Sequence, residues 1–279
     1  MSLKKFVPSK NPITRHGSSS YSSSSSSSFP FRDRFRDSKS QKDFDENFSD
    51  RAILLEHHII LSDFLDTPLP RAFSSRGWES LREKPLRCPG VFIQEFYFNI
   101  HAIDTFVPQF IMVFRGTHIV VTLELISKVL HVPKVVQLNY PSHPRFHSIS
   151  RDELTTRFCE TAMMWGGLQN FTTHDFAKGP RILNKMMTFD LTPWSHYNTI
   201  TEPRAHFLFS LLECLSIDFL SHMIMSMIDI YQDTAPRDKL IFPSTITYIL
   251  THMHISIPST PLFFIMGAIN KESIQRSDT

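Results

Sequence analysis

Phe114-Arg-Gly-Thr-His-Ile-Val-Val-Thr-Leu-Glu-Leu-Ile-Ser-Lys-Val-Leu-His-Val-Pro133 decides the fold of this 279-residue chain. His118-Ile-Val-Val-Thr122 is a β-prone run, and so is Phe110-Ile-Met-Val-Phe114 just before it. Arg115-Gly116-Thr117 lies between them, which predicts a small hairpin. Thr122 stands where a helix needs a cap, since its hydroxyl accepts from the first unbonded N–H groups. Glu124 in the first turn faces the positive end of the helix dipole. Leu123, Ile126, Val129 and Leu130 fall on one helical face, and Pro133 prevents continuation. The block reads as a hairpin and a capped amphipathic helix, and it carries no catalytic group.

Outward from this block, helical signals dominate. Asp50 can cap a helix whose apolar positions include Ile53, Leu54, Ile60, Leu61, Phe64 and Leu65, ended by Thr67-Pro-Leu-Pro70. Val91 to Ile103 has helical spacing, although its aromatics also suit a strand. Residues 134–150 read as a loop. Ser150 with Glu153 three residues later makes a capping box. Residues 165–180 read as irregular, followed by a short helix over Arg181–Met187. Thr201-Glu-Pro-Arg204 is a helix start with proline in the first turn. Phe207, Leu208, Leu211, Leu212 and Leu215 follow at helical spacing. Ser216-Ile-Asp218 then interrupts and caps a second helix carrying Leu220, Met223, Ile224, Met227, Ile228 and Tyr231. Phe242–His252 and Leu262–Ile269 read as further short helices. The expected fold is mainly α: one helical domain over residues 50–270 with a small β-hairpin. A disordered serine-rich arm (1–49) precedes it and a disordered tail (271–279) follows.

Only 8 glycines occur, which disfavours turn-dense β folds and phosphate-cradling loops. Residues 1–50 hold nine Lys/Arg against six Asp/Glu, and residues 51–279 hold 20 against 21. The folded part therefore has no overall basic character. In the arm, a serine tract over residues 18–28 precedes Phe31-Arg-Asp-Arg-Phe-Arg-Asp37. Such a segment buries too little apolar surface to offset its ordering entropy, so a solvated tail is one reading. Nucleic-acid contact through Arg32, Arg34 and Arg36 is another, because they interleave with Phe31 and Phe35. Asp33 and Asp37 oppose it by repelling phosphate.

Cys88, Cys159 and Cys214 are far apart and form no C-x-x-C pair, which removes a zinc knuckle and fits a reducing intracellular compartment, cytoplasmic or nuclear. The start lacks the apolar run of a signal peptide. Residues 240–270 hold no Asp, Glu, Lys or Arg, but Pro243, Pro258 and Pro261 break them into pieces too short to span a bilayer. They read as buried core, with no membrane partner.

No phosphate loop, nucleophile elbow, dinucleotide fingerprint or H-E-x-x-H motif is present. Asp63, Asp104, Asp190 and Glu213 are arbitrary choices for the carboxylates of a metal-dependent nuclease. Histidine is abundant at 14. His57-His58 on a helix diverge by about 100° and chelate poorly, and His252 and His254 flank a helix end. The expectation is therefore a non-enzyme with no cofactor, no metal and no small-molecule substrate. Cys159 and Cys214 read as buried and inert. Met223, Met225 and Met227 suit either core packing or an adaptable contact surface; Leu220, Met223 and Met227 are the candidate helix interface for self-association. Trp78, Trp165 and Trp194 lie outside the helical stripes, as loop clamps or interface residues.

Three blocks together resemble the plant transposon protein domain family, related to the first open reading frame of Athila-type retrotransposons. They are Val91-Phe-Ile-Gln-Glu-Phe-Tyr-Phe-Asn-Ile100, the Phe114–Pro133 block, and Leu191-Thr-Pro-Trp194 through Thr201-Glu-Pro-Arg204 to Tyr231. The similarity covers residues 78–257. Thr117 replaces the family's common lysine, and Ile200 a frequent valine. The resemblance implies descent from a mobile element. It brings no catalytic residues, and by analogy suggests self-association or nucleic-acid packaging.

Overall fold

The computed structural model describes residues 34–35, 38–86, 89–136, 140, 148–161, 163–165, 170–194, 196, 198–233, 239–257 and 266–270. In chain order the helices are α1 (Ser38–Asn47), α2 (Leu69–Ser74), α3 (Gly90–Phe98), α4 (Leu123–Leu130), α5 (Arg151–Phe158), α6 (Lys178–Met186), α7 (Glu202–Leu212), α8 (Phe219–Gln232) and α9 (Pro243–His252). The strands are β1 (His57–Ile59), β2 (Ile100–Asp104), β3 (Gln109–Phe114), β4 (Thr117–Val121), β5 (Asn170–Thr172), β6 (Thr199–Thr201) and β7 (Met266–Ile269). Among the described residues helix takes 48% and strand 16%, so helices predominate, yet three small sheets stand where one hairpin was expected.

The expected hairpin forms. β3 and β4 pair antiparallel from Phe110–Val121 to Phe114–Thr117. Arg115 (φ 47°) and Gly116 (φ 80°) make the turn, both left-handed, as a two-residue turn matched to strand twist requires. β2 adds to the other side of β3, giving the order β2-β3-β4. Thr122 caps α4, its hydroxyl accepting from Leu125 N–H at 3.2 Å. α4 ends at left-handed His131 before Pro133. The capping residues Ser150 and Asp218 likewise accept from Glu153 and Ser221 N–H, at 3.1 and 3.2 Å.

Several local readings give way to long-range pairing. No helix follows Asp50: Ile53 bridges Leu240, β1 pairs parallel with β7, and Leu61–Phe64 is a single 3-10 turn. Leu54 N–H donates to Leu240 O and Leu240 N–H to Ala52 O, each at 2.8 Å, bonds that only extended chain can make. Short apolar runs do not distinguish strand from buried helix, so distant partners decide. For the same reason Val91–Ile103 divides into α3 and β2, and Met266–Ile269 is a strand; residues 262–265 lie outside the described residues. β5 pairs with β6, so residues 165–180 contain a strand within their irregular stretch. Thr201 heads α7 without a side-chain cap bond. Cys159 is buried, Cys214 is half-buried in left-handed backbone, and Cys88 lies outside the described residues.

Helix also begins ahead of the expected boundary at residue 50. α1 is polar apart from Phe44, and a ring cluster holds it. Phe44 lies 4.9 Å from Phe35 and 5.4 Å from Phe98, and Phe48 lies 5.7 Å from Phe98. Next to this cluster sits Glu95 of α3, with no exposed surface. Arg115 Nε donates to its Oε2 at 2.9 Å and Nη2 to Oε1 at 3.1 Å. Arg34 Nε donates to Oε1 at 2.6 Å. The Arg115 guanidinium also covers the Phe92 ring at 3.9 Å.

Removing one partner of a buried ion pair leaves an uncompensated charge, at a cost of about 3–5 kcal/mol. Arg115→Ala is expected in that range, read as a lowered urea midpoint at constant m value. Arg34→Ala is expected to cost less, because Arg34 meets only Oε1 and its loss leaves Arg115 bonded to both carboxylate oxygens. Equal midpoints for Arg115→Ala and the unsubstituted chain would contradict the role given to Glu95.

Candidate functional site

A cleft of about 360 Å³ opens between α7, α8, the Thr192–Trp194 segment and Tyr140. Its position follows from a π-helical turn. α6 runs on into Met187–Leu191 with π geometry, and Thr192 N–H closes back on Met187 O at 2.7 Å. That turn brings Thr188 and Thr192 to Arg204 in the first turn of α7. Arg204 Nη1 donates to Thr192 O at 2.6 Å and Nη2 to Thr188 Oγ1 at 2.9 Å. Its Nε is buried without a partner. Burial lowers the Arg204 guanidinium to about 10. Trp194, 42% exposed, lies 5.8 Å from the guanidinium.

Tyr140 is set in place by its backbone, whose N–H donates to Ser216 O at 3.0 Å. Its hydroxyl donates to Pro203 O at 3.3 Å, and its ring meets Phe207 edge-on at 5.5 Å. α8 supplies His222, Ser226 and Asp229 to another wall, and Asp233 follows at its C-terminal end. Burial, reinforced by the Arg204 charge, pushes the His222 imidazole down to about 4. His222 is therefore neutral at pH 7, and its Nε2 is buried without a partner. Burial pushes the Asp229 carboxyl up. The cleft is thus apolar and aromatic, with one fixed guanidinium inside and two acids contributed by α8 and its C-terminal end.

A second cavity, about 50 Å³, lies on the other side of the π turn and encloses two carboxyl groups. Glu56 Oε2 accepts from Ser244 N–H at 2.7 Å, capping the start of α9, where Phe242 is left-handed. Asp190 Oδ1 accepts from His57 N–H at 2.7 Å, while Oδ2 is buried without a partner. Burial raises Glu56 to about 8, against the opposing effect of its backbone hydrogen bonds. Burial also raises Asp190 well above the usual carboxylate range, and the neighbouring Glu56 adds to it. These are groups held neutral by enclosure, each beside a like group.

A family model described as "Putative plant retrotransposon-related domain" matches residues 74–256. The chain belongs to this family. No curated protein and no solved structure matches. The retrotransposon-related domain takes in the hairpin and every residue named in the cleft, whereas α1, Arg34 and Glu56 precede it.

The residues singled out in the sequence fare differently. Arg32 and Arg36 lie outside the described residues. Arg34 is bound to Glu95, so its head does not reach outward for phosphate. Leu220, Met223 and Met227 are 2%, 1% and 0% exposed. They are core of this chain, which corrects their assignment to an interface between chains. Asp104 accepts from Phe106 and Val107 N–H, and Glu213 pairs with Arg157 at 3.4 Å. His57 and His58 lie on β1, and His252 closes α9 with His254 in left-handed backbone beyond it. Among the described residues no group of three or more His, Cys, Asp or Glu is placed to hold a metal ion. No described helix is long and apolar enough to cross a membrane. The cleft itself escaped the sequence reading. Two signals for it were present: Leu191-Thr-Pro-Trp194 and Thr201-Glu-Pro-Arg204 supply its Thr192, Trp194 and Arg204.

A pH dependence of stability follows. Glu56 and Asp190 stay protonated in the folded chain at pH values where the unfolded chain has lost both protons, so stability falls as pH rises from about 4.5. His222 acts oppositely: the unfolded chain binds its proton near 6.5 and the folded chain near 4, so its contribution is complete only above 6.5. Between pH 6.5 and about 8 the His222 contribution is complete, and Glu56 contributes a decline on the order of 1 kcal/mol per pH unit, in the same direction as Asp190. Urea denaturation across that window is expected to show the decline. Glu56→Gln, which keeps an acceptor for Ser244, is expected to flatten it; an unchanged slope would contradict the assignment to Glu56.

Proposed function

We propose that this transposon-derived chain is a non-enzymatic association module, pairing with a second copy of itself through the edge strand β4. The supporting observation is the state of that edge. Proteins protect edge strands with lysine, proline, bulges or covering segments, because an open edge templates further pairing. β2, the other edge of the sheet, has a register shift between Ile100 and Ala102. β4, Thr117-His-Ile-Val-Val121, pairs in unbroken register and carries no lysine, acid or proline.

The outer face of the sheet carries apolar residues among His118, Gln109 and Asp104. Ile111 opposes Val120 across the pair, and Val113 and Val120 are 36% and 39% exposed. At the β2–β3 turn Phe106 is 98% exposed. The Asp104 carboxylate accepts from Phe106 and Val107 N–H at 2.9 and 3.1 Å, so this turn is built and holds an aromatic ring in water. Covering a phenylalanine of this kind is worth about 1.5–3 kcal/mol. Antiparallel pairing of β4 with β4 across a two-fold axis joins two three-stranded sheets into one and repeats every contact twice.

Light scattering of the full chain over a concentration series tests this. A dimer is expected, and Val120→Lys, which puts a charge beside the edge, is expected to weaken it by about tenfold or more, equivalent to about 1.4 kcal/mol. Circular dichroism checks that the variant keeps its helix content. A strictly monomeric unsubstituted chain at high concentration overturns the proposal, as does a Val120→Lys dimer of unchanged affinity.

A further inference from the structure

We infer that the cleft between α7 and α8 binds an aromatic monocarboxylate, its carboxylate on Arg204 and its ring among Trp194, Tyr140 and Phe207. This goes beyond the association reading and stands independently of it.

Arg204 carries the inference. A guanidinium taken out of water is costly unless an anion meets it. Among the described residues no carboxylate pairs with Arg204: its hydrogen bonds go to a carbonyl and a hydroxyl, Thr192 O and Thr188 Oγ1. Its Nε has no partner, and each terminal nitrogen has a second N–H beyond the one those bonds use. Buried polar groups left in this state call for an explanation. The two bonds fix the guanidinium plane before any ligand arrives, which reduces the ordering cost of binding.

The remaining walls define the rest of the ligand. The volume, about 360 Å³, lies in the range of small-molecule sites, which are mostly apolar with a few convergent polar groups. Trp194 and Tyr140 offer ring surface, Tyr140 being held edge-on against the buried Phe207. His222, neutral, lines the cleft and adds no second positive charge. Asp229 and Asp233 also line the cleft, so a second negative charge on the ligand meets repulsion. One carboxylate is matched; a phosphate monoester is not.

Tryptophan emission reads this directly. Trp78 and Trp165 are 2% and 1% exposed, whereas Trp194 is 42% exposed in the cleft. Titrating the full chain with phenylacetate is expected to shift emission saturably, with a dissociation constant of about a millimolar for so small a ligand. Phenylacetamide, of the same shape without charge, and phenyl phosphate are each expected to bind at least about tenfold more weakly. Ser226→Phe, which fills the cleft, is expected to abolish the shift, and Arg204→Gln to weaken it by about tenfold or more. Should Arg204→Gln fail to fold, phenylacetate against phenylacetamide on the unsubstituted chain decides the role of charge. Absence of a saturable shift, equal binding of phenylacetamide, or binding that survives Ser226→Phe each overturns the inference.

Discussion

A carboxylate with no exposed surface persists only if cations meet it where it lies, and Glu95 imposes that condition on two distant stretches of the chain. Arg115 satisfies it from a tight turn, in a left-handed backbone that a non-glycine residue adopts at a cost. The side chain compensates by gripping Glu95 with two hydrogen bonds while covering Phe92 of the same helix. The turn conformation, the register of β3 on β4 and the position of α3 are therefore set together. Arg34 extends the same point to the N-terminal segment, where Phe35, Phe44 and Phe48 gather around Phe98. An apolar replacement of such a cluster is often no less stable. What the ionic version adds is direction: two guanidinium groups must arrive at the two oxygens of one carboxyl group.

Elsewhere the chain buries ionisable groups without an opposite charge: Arg76 lies against the carbonyls of Ala72, Ser210 and Leu215, and two further places adjoin the π turn Met187–Leu191. One turn of π geometry redistributes side chains that regular helix would place otherwise, and such turns recur at functional sites. Here Asp190 goes to the inner cavity beside Glu56, while Thr188 and Thr192 go to Arg204. The carboxyl pair responds to enclosure by holding its protons. The guanidinium keeps its charge, because its affinity for the proton is lowered only to about 10. Two carboxyl groups can become neutral and remain closed in; a charged arginine at an open cleft retains its attraction for an anion.

What was legible in the sequence was local. The Arg115-Gly116 turn, the Thr122, Ser150 and Asp218 caps, and the helices ending in α9 depend on residues within a few positions of one another, and they form as read. What failed was decided at a distance. Ile53 and Leu54 are extended because Leu240 pairs with them, and β7 is a strand because β1 is beside it. α1 has one buried residue, Phe44, in an otherwise polar stretch, and its anchor is Phe98 on another helix. Glu95 illustrates the limit: in sequence it is one acid among 27, and only the fold brings Arg34 and Arg115 to it.

The reading of α8 failed for a different reason. Leu220, Met223, Ile224, Met227 and Ile228 form its apolar stripe, and an apolar stripe looks like an interface from sequence alone. In a chain with other helices and a sheet to cover it, the stripe is consumed internally, and α8 packs against α3, α4 and β3. The other stripe, His222, Ser226, Asp229 and Asp233, repeats at the same helical spacing with polar chemistry and faces the cleft. One helix thus joins the core to the candidate site. Its apolar side fixes where it sits, and that fixed position places His222 near Arg204 and Asp229 on the wall of the same cleft. Residues able to act on a ligand were therefore to be sought on the less hydrophobic side of the longest described helix.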